Sequence, residues 1–358
     1  MMQSIYTAQN SMRAYQTKID TISHNISNIN NKNYSKQKVK FTTAPSIEHQ
    51  NYSIGTGVSV QSIDRNHDEV LFKQLTKYIS DSSEKKESSN KLNQLNKSLN
   101  SYNTENISNL VNKYFDSVSK YAETGEEEIK IEITENFEAI KTRKGYLKNL
   151  FNDEINKSLS EINEIRDETQ SQIKELEKLI KHFPKTNNIK DKIDEIEKDI
   201  SKNQKFQSYN KYEFNYQYEI KETSGRIKGL IDTVQLFETI KNSFNEKITT
   251  IIEEGELFIN DDFKNPNKII ETENKELRIN DINQEFINIS LKAENSRTIE
   301  KISSAFFLSI DTQNKQLKEV NLDQELIDLN MSLKVYQAQS VIIKTADEML
   351  KTIINLKS

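Results

Sequence analysis

The chain contains no cysteine, which removes a disulfide framework, a thiolate zinc site and a cysteine nucleophile together. Glycine and proline are almost as scarce, with 7 and 3 copies in 358 residues. Turn-rich β-architectures lean on those two residues, so their scarcity, beside abundant Glu, Lys, Ile, Leu and Asn, points to long helices. An excess of one charge is missing too. The 50 basic and 55 acidic side chains leave a net charge of −5 and are interleaved. Nucleic acid is bound through a one-signed basic patch that displaces counterions, so no nucleic-acid partner is expected. Interleaved charge suits the solvated faces of helices. Long apolar runs are lacking as well, and end at stretches such as Ala305-Phe306-Phe307-Leu308. A helix needs ~20 apolar residues to cross a bilayer, so no membrane partner is expected. The first ten residues carry no apolar run of a secretory signal peptide. Leaving the cell would then require a dedicated exporter.

The groups that catalysis would bring together are also absent. The four histidines are His24, His49, His67 and His182, none within helical reach of another, and no His-Glu-x-x-His pair exists. Gly55-Thr56-Gly57 lacks the Lys-Ser/Thr of a phosphate loop and the spacing of a dinucleotide fingerprint, and reads as a turn. Glu126-Glu127-Glu128 and Glu253-Glu254 are sequence neighbours, so on a helix they splay apart. No catalytic residue, cofactor-binding residue or metal ligand is therefore expected, and the chain reads as non-enzymatic.

What is present is periodicity. Ile5, Ala8, Met12, Tyr15, Ile19, Ile22, Ile26 and Ile29 are spaced 3-4-3-4-3-4-3, the narrow seam of a left-handed coiled coil. The polar run Asn28 to Asn33 ends that helix. The last segment mirrors it, with Leu322, Leu326, Leu329, Leu333, Tyr336, Ser340 and Ile343 at the same alternating spacing. A second seam joins it through Ile342, Ala346, Met349, Ile353 and Leu356. Asn321 and Asp323 offer N-caps, and Glu325 sits early, where the helix dipole favours a carboxylate. An isolated helix of this length is marginal, and a narrow seam needs a partner. Either the two ends of the chain pair and turn the second seam to neighbouring subunits, or both join an ordinary intramolecular bundle.

Between the ends, residues 38–64 look extended. Val39-Lys40-Phe41-Thr42-Thr43 alternates, Pro45 breaks the run, and Ile54 to Val60 reads as a turn entering a short strand. From about Asp68 to Asn203 the pattern is helical. A stripe through Ile155, Leu159, Ile162, Ile165, Thr169, Ile173, Leu176, Ile180 and Phe183 ends in a turn at 182–188. Ile189, Ile193, Ile196 and Ile200 begin the antiparallel return. Tyr212, Phe214, Tyr216 and Tyr218 alternate like a half-buried strand. Helix resumes at Ile227, and Pro266 marks a second loop. The expected fold class is mainly α, an elongated multi-helix bundle or coiled coil with paired terminal helices and a small β element in the middle.

Three stretches resemble the axial proteins of the bacterial flagellum, the rod, hook and filament family. His24-Asn25-Ile26-Ser27-Asn28-Ile29-Asn30-Asn31-Lys32-Asn33-Tyr34-Ser35-Lys36-Gln37 is similar to their N-terminal signature, an Asn-rich helix end followed by Thr-Pro-Gly-Tyr. Its ending is most like the Tyr-Ser-Arg-Gln of hook–filament junction members. Gly55-Thr56-Gly57-Val58-Ser59-Val60, then Ile63-Asp64-Arg65, Asp68 and Phe72-Lys73-Gln74-Leu75, resemble the strand and first long helix of those members. Val320 to Leu326, Tyr336-Gln337-Ala338 and Thr345-Ala346-Asp347-Glu348-Met349-Leu350 resemble their C-terminal helix. Here Asn31-Lys32-Asn33 replaces Thr-Pro-Gly, and Asn33 is expected to hold the left-handed turn position.

The resemblance implies a secreted structural component of the extracellular flagellum that joins hook to filament and leaves by type III export. Residues 1–37 plus 320–358 would form a terminal coiled-coil axial domain. Residues 38–204 plus 223–319 would form a helical bundle, and 205–222 a remnant of a β-rich outer domain. It implies self-assembly into a helical tube, with hook protein, a second junction protein and an export chaperone as partners. Asn25, Asn28, Asn30, Asn33, Tyr34, Gln337, Asp347, Met349 and Leu350 would be assembly residues, with Asn25, Asn28 and Gln337 on faces that meet neighbouring subunits. A hook or rod protein shares the N-terminal signature, and a cytoplasmic coiled-coil scaffold is the alternative outside the family.

Overall fold

Long runs of helix-forming residues, with few glycines or prolines to stop them, give a chain that is mainly α. A computed structural model describes residues 2–49, 52–100, 106–182, 186–209, 217–271 and 275–355. Helix α1 (Met2–Ser27) leads into strands β1 (Gln37–Thr43), β2 (Ile47–His49), β3 (Tyr52–Ile54) and β4 (Val58–Arg65). Helices α2 (Glu69–Asn100), α3 (Ile107–Thr124), α4 (Glu127–His182) and α5 (Asn187–Asn203) follow, then β5 (Lys205–Tyr209) and β6 (Gln217–Lys221). Helices α6 (Gly225–Asn260), α7 (Pro266–Glu271), α8 (Lys275–Lys318) and α9 (Leu322–Asn355) complete the chain. At ~1.5 Å per residue the 56 residues of α4 extend roughly 84 Å, which makes the bundle elongated.

Local chemistry places the helix ends. Asp68 Oδ1 accepts the backbone N–H groups of Val70 and Leu71 at the start of α2. Asn106 accepts from Ser108 at the start of α3, and Gly125 closes that helix in the left-handed conformation with a bond to Tyr121 O. Asn321 Oδ1 accepts the Gln324 N–H, so the cap read from the sequence for α9 is in place.

Buried apolar side chains form three clusters. The largest packs Leu95 of α2, Tyr114 of α3, Phe137 and Phe151 of α4, Phe237 and Phe244 of α6 and Ile282 of α8. A second lies between α4, α5 and β5, around Leu176, Ile196, Ile200 and Phe206. The third joins Ile162 and Ile165 of α4 to Ile227 and Leu230 of α6. Among the described residues, none of these clusters takes a side chain from α1 or α9. Leu159, expected within the α4 stripe, is exposed.

Strands β1 and β4 pair antiparallel from Gln37↔Arg65 to Thr43↔Val58, with an irregularity between Lys40 and Phe41. The short pair β2–β3 extends from the far end of this ribbon. Strands β5 and β6 form the small middle β element, where Phe206 stacks on Tyr218 at 5.8 Å. Tyr212, Phe214, Tyr216 and Phe183 lie outside the described residues.

Candidate assembly site

Helices α1 and α9 pack antiparallel along each other, with Asn25 near the end of α1 bonded to Glu325 near the start of α9. The β1–β4 ribbon packs on a second side of α1. Close approach there depends on Gly57, whose φ is 94° and whose position would put a Cβ 2.7 Å from Ser11 Oγ. Tyr15 of α1 meets Phe41 of β1 with ring centroids 5.3 Å apart.

These two partners make the buried face of α1 wider than the narrow seam expected from the sequence. Ala8 and Ile22 of that seam are buried, and Ile5, Met12, Tyr15, Ile19 and Ile26 are half-buried. Ser11, Ala14, Thr21 and Asn25 are buried beside them. Ile29 lies past the end of α1 and is exposed.

On α9 the face turned to α1 is displaced from the expected one. Leu322, Leu326 and Leu333 are exposed, while Leu329, Tyr336 and Ile343 are half-buried. Glu325, Ser332 and Ala346 are the buried positions. Of the second seam, Ala346 is buried but Ile342 and Met349 are exposed, and the side chains of Ile353 and Leu356 lie outside the described set. Ile327 and Met331 are exposed as well, Met331 at 60%. An apolar stripe therefore remains open on each flank of the α1-facing side.

Asn25 was expected on an outer face and instead is 1% exposed. Its amide uses all of its bonding capacity. Nδ2 donates to Gln37 O and to Glu325 Oε2, each at 2.9 Å. Oδ1 accepts the Tyr34 hydroxyl at 2.7 Å and the Gln37 N–H at 2.9 Å. An amide can donate and accept in this way, whereas a carboxylate only accepts. Because the Tyr34 proton points to Asn25, its oxygen faces His24 Nδ1, 3.0 Å away, and that nitrogen carries the proton. Glu325, 2% exposed, is answered on its other oxygen by Lys36 Nζ at 2.5 Å.

The remaining expected residues are more scattered. Asn28 is half-buried and donates to His24 O. Asn30 is exposed. Asn33, also exposed, bonds Glu195 at 2.5 Å. It does not take the expected left-handed conformation. Positive φ among the described non-glycine residues occurs at Asp262, Phe263 and Asn265. The turn is made by backbone bonds from Asn31 to Asn28 and from Tyr34 to Asn31, with Asn31 Oδ1 accepting the Asn33 N–H. Gln337 is exposed, Asp347 is exposed and paired with Lys351, Met349 is exposed and Leu350 half-buried.

Where the terminal pair meets the bundle, three chain segments cross side by side. Lys36 N donates to Lys318 O, Asn66 N donates to Lys36 O, and Asn66 Nδ2 reaches Leu317 O. Helix α5 clamps them with two buried carboxylates. Asp191 accepts from the Ser35 hydroxyl at 2.6 Å and from Arg65 at 2.7 Å. Asp194 takes Arg65 at 2.9 Å and Lys318 at 3.3 Å. His67 lies between Asp194 and Glu69, at 3.3 and 3.1 Å. Sequence reading met Lys36 only as part of the Tyr34-Ser35-Lys36-Gln37 ending and did not single out Asp191, Asp194 or Lys318. Each is one charge among many, and its partner is distant in the chain.

Such an arrangement packs helix against helix. No described helix is long and apolar enough to cross a membrane. Residues 319–356, which contain α9, match the family model described as Flagellar basal body rod FlgEFG protein C-terminal. No curated protein and no solved structure matches the chain. The match makes this C-terminal segment similar to that of flagellar axial proteins, a structural family.

Proposed function

We propose that the chain is a hook–filament junction subunit of the bacterial flagellum, similar to hook-associated protein 1, assembling into a helical tube through α1 and α9. The observation that carries this reading is the pair of exposed apolar stripes on α9, within the residues that match the axial family. Identical subunits that meet through two different surfaces make a head-to-tail contact that need not close, and a tube follows. The terminal pair would form its inner wall and the bundle an outer shell. Hook protein would lie below and a second junction protein above. Type III export with a dedicated chaperone suits apolar stripes that stay open until assembly.

The test is Leu326→Ser with Met331→Ser, two exposed positions on opposite flanks of α9. The monomer should keep its helix content and melting temperature, while the chain disappears from sheared hook–filament preparations and swimming is lost. Incorporation at the wild-type level would refute the stripes as subunit contacts. A second reading, a hook or rod subunit, is favoured by the family description, which names the basal body rod. Gold-labelled antibody separates the two, by decorating a single junction or the length of the hook or rod.

A further inference from the structure

Helix α9 presents three apolar-bearing faces, and over residues 322–333 α1 packs on the one that carries a carboxylate. The face toward α1 interleaves Leu329, Tyr336 and Ile343 with Glu325, Ser332 and Gln339. At ~100° per residue, Leu322, Leu326 and Leu333 fall on one flank, and Ile327, Met331, Ile342 and Met349 on the other. Two helices paired by apolar burial alone turn their most apolar stripes to each other. Over residues 322–333 the three flanking leucines stay outside and a carboxylate goes in.

We propose that the buried cluster of Asn25, Lys36 and Glu325 selects which face of α9 meets α1, and so leaves both apolar flanks outside the pair. The receptor half is built within the N-terminal segment. Gln37 and Tyr34, 12 and 9 positions from Asn25, fix its amide by three hydrogen bonds, so that Nδ2 is aimed at the place Glu325 occupies. Lys36 is fixed through its backbone to Lys318 and Asn66. Rotating α9 by ~100° to present Leu326 would put an apolar side chain against this donor pair and leave both without their carboxylate. A buried ionic group can act through specificity rather than net stability, and that is the role proposed for this one. The inference stands on the geometry of the helix pair and does not rest on the flagellar reading.

The chain's lack of cysteine provides the test. Single variants Ser332→Cys, at a fully buried position, and Leu333→Cys, at one 40% exposed, report the orientation of α9 through thiol-labelling rates in the full-length monomer. With Glu325 intact, Ser332→Cys is protected and Leu333→Cys labels freely. Adding Glu325→Leu is expected to speed labelling at Ser332→Cys by about tenfold or more and to slow it at Leu333→Cys, with helix content unchanged. Unchanged protection at Ser332→Cys overturns the proposal. Fast labelling at both positions overturns it too, because the cluster would then hold the helices together without choosing a face.

Discussion

Tyr34 places a phenol inside the turn that follows α1, bonded to Asn25 and facing His24. Burial first, and then the negative charges of Asp191 and Glu325, push its pKa well above the ordinary tyrosine value. Burial does the same for Tyr114, and a hydrogen bond to Glu177 followed by burial pushes Tyr218 up to about 12. In the unfolded chain these groups ionise near ~10. The unfolded state therefore loses its protons first. The stability they confer is complete below ~10 and drains as pH rises through the folded values. Urea midpoints measured between about pH 9 and 11 should fall on the alkaline side, and Tyr34→Phe should flatten the fall. An alkaline slope that Tyr34→Phe leaves untouched would mean that Tyr34 ionises as freely in the folded chain as in the unfolded one.

For an element as a whole, α1 is the clearest case. It is wedged between α9 and the ribbon, yet among the described residues none of its side chains joins the three apolar clusters. Ile22 is 4% exposed, so Ile22→Asp buries an unpaired carboxylate and should cost about 3 kcal/mol or more locally. Hydrogen exchange should show α1 and α9 losing protection together while α4 and α6 keep theirs, and incorporation should be abolished. A loss of protection spread through the bundle would tie α1 to the core.

The same elements show how much the sequence could tell. Period and spacing announced α1, α9, the extended character of residues 38–64 and the second half of α4, because apolar repeat and caps are local properties. They misdirected the choice of face on α9, since Leu322, Leu326 and Leu333 form the better repeat. The face is chosen by a bond between residues 300 positions apart. Asn33 failed for a related reason. Its conformational licence was legible, but the turn's own hydrogen bonds made that licence unnecessary.

At the scale of the molecule, all three clusters lie between Leu92 and Ala293. A fragment spanning residues 63–319 keeps them, together with Arg65, Asp191, Asp194 and Lys318. It should melt as cooperatively as the full chain, which would show extra helix of low stability. Collapse of the fragment would show that the ends complete the core. The bundle's existence was legible because it is built from repeats. Its attachment was not, since Arg65 and Asp191 are 126 positions apart, and Asn66 and Leu317 251 apart.

That attachment sets how load travels. A single covalent crossing between the terminal pair and the bundle would peel, one contact failing after another. Two covalent crossings, with the Ser35–Lys36 segment laid beside them and all pinned by Asp191 and Asp194, meet torque as shear, so the short charged contacts strain together. Twist applied to the terminal helices would reach α5 as a turn of the whole joint rather than of one contact.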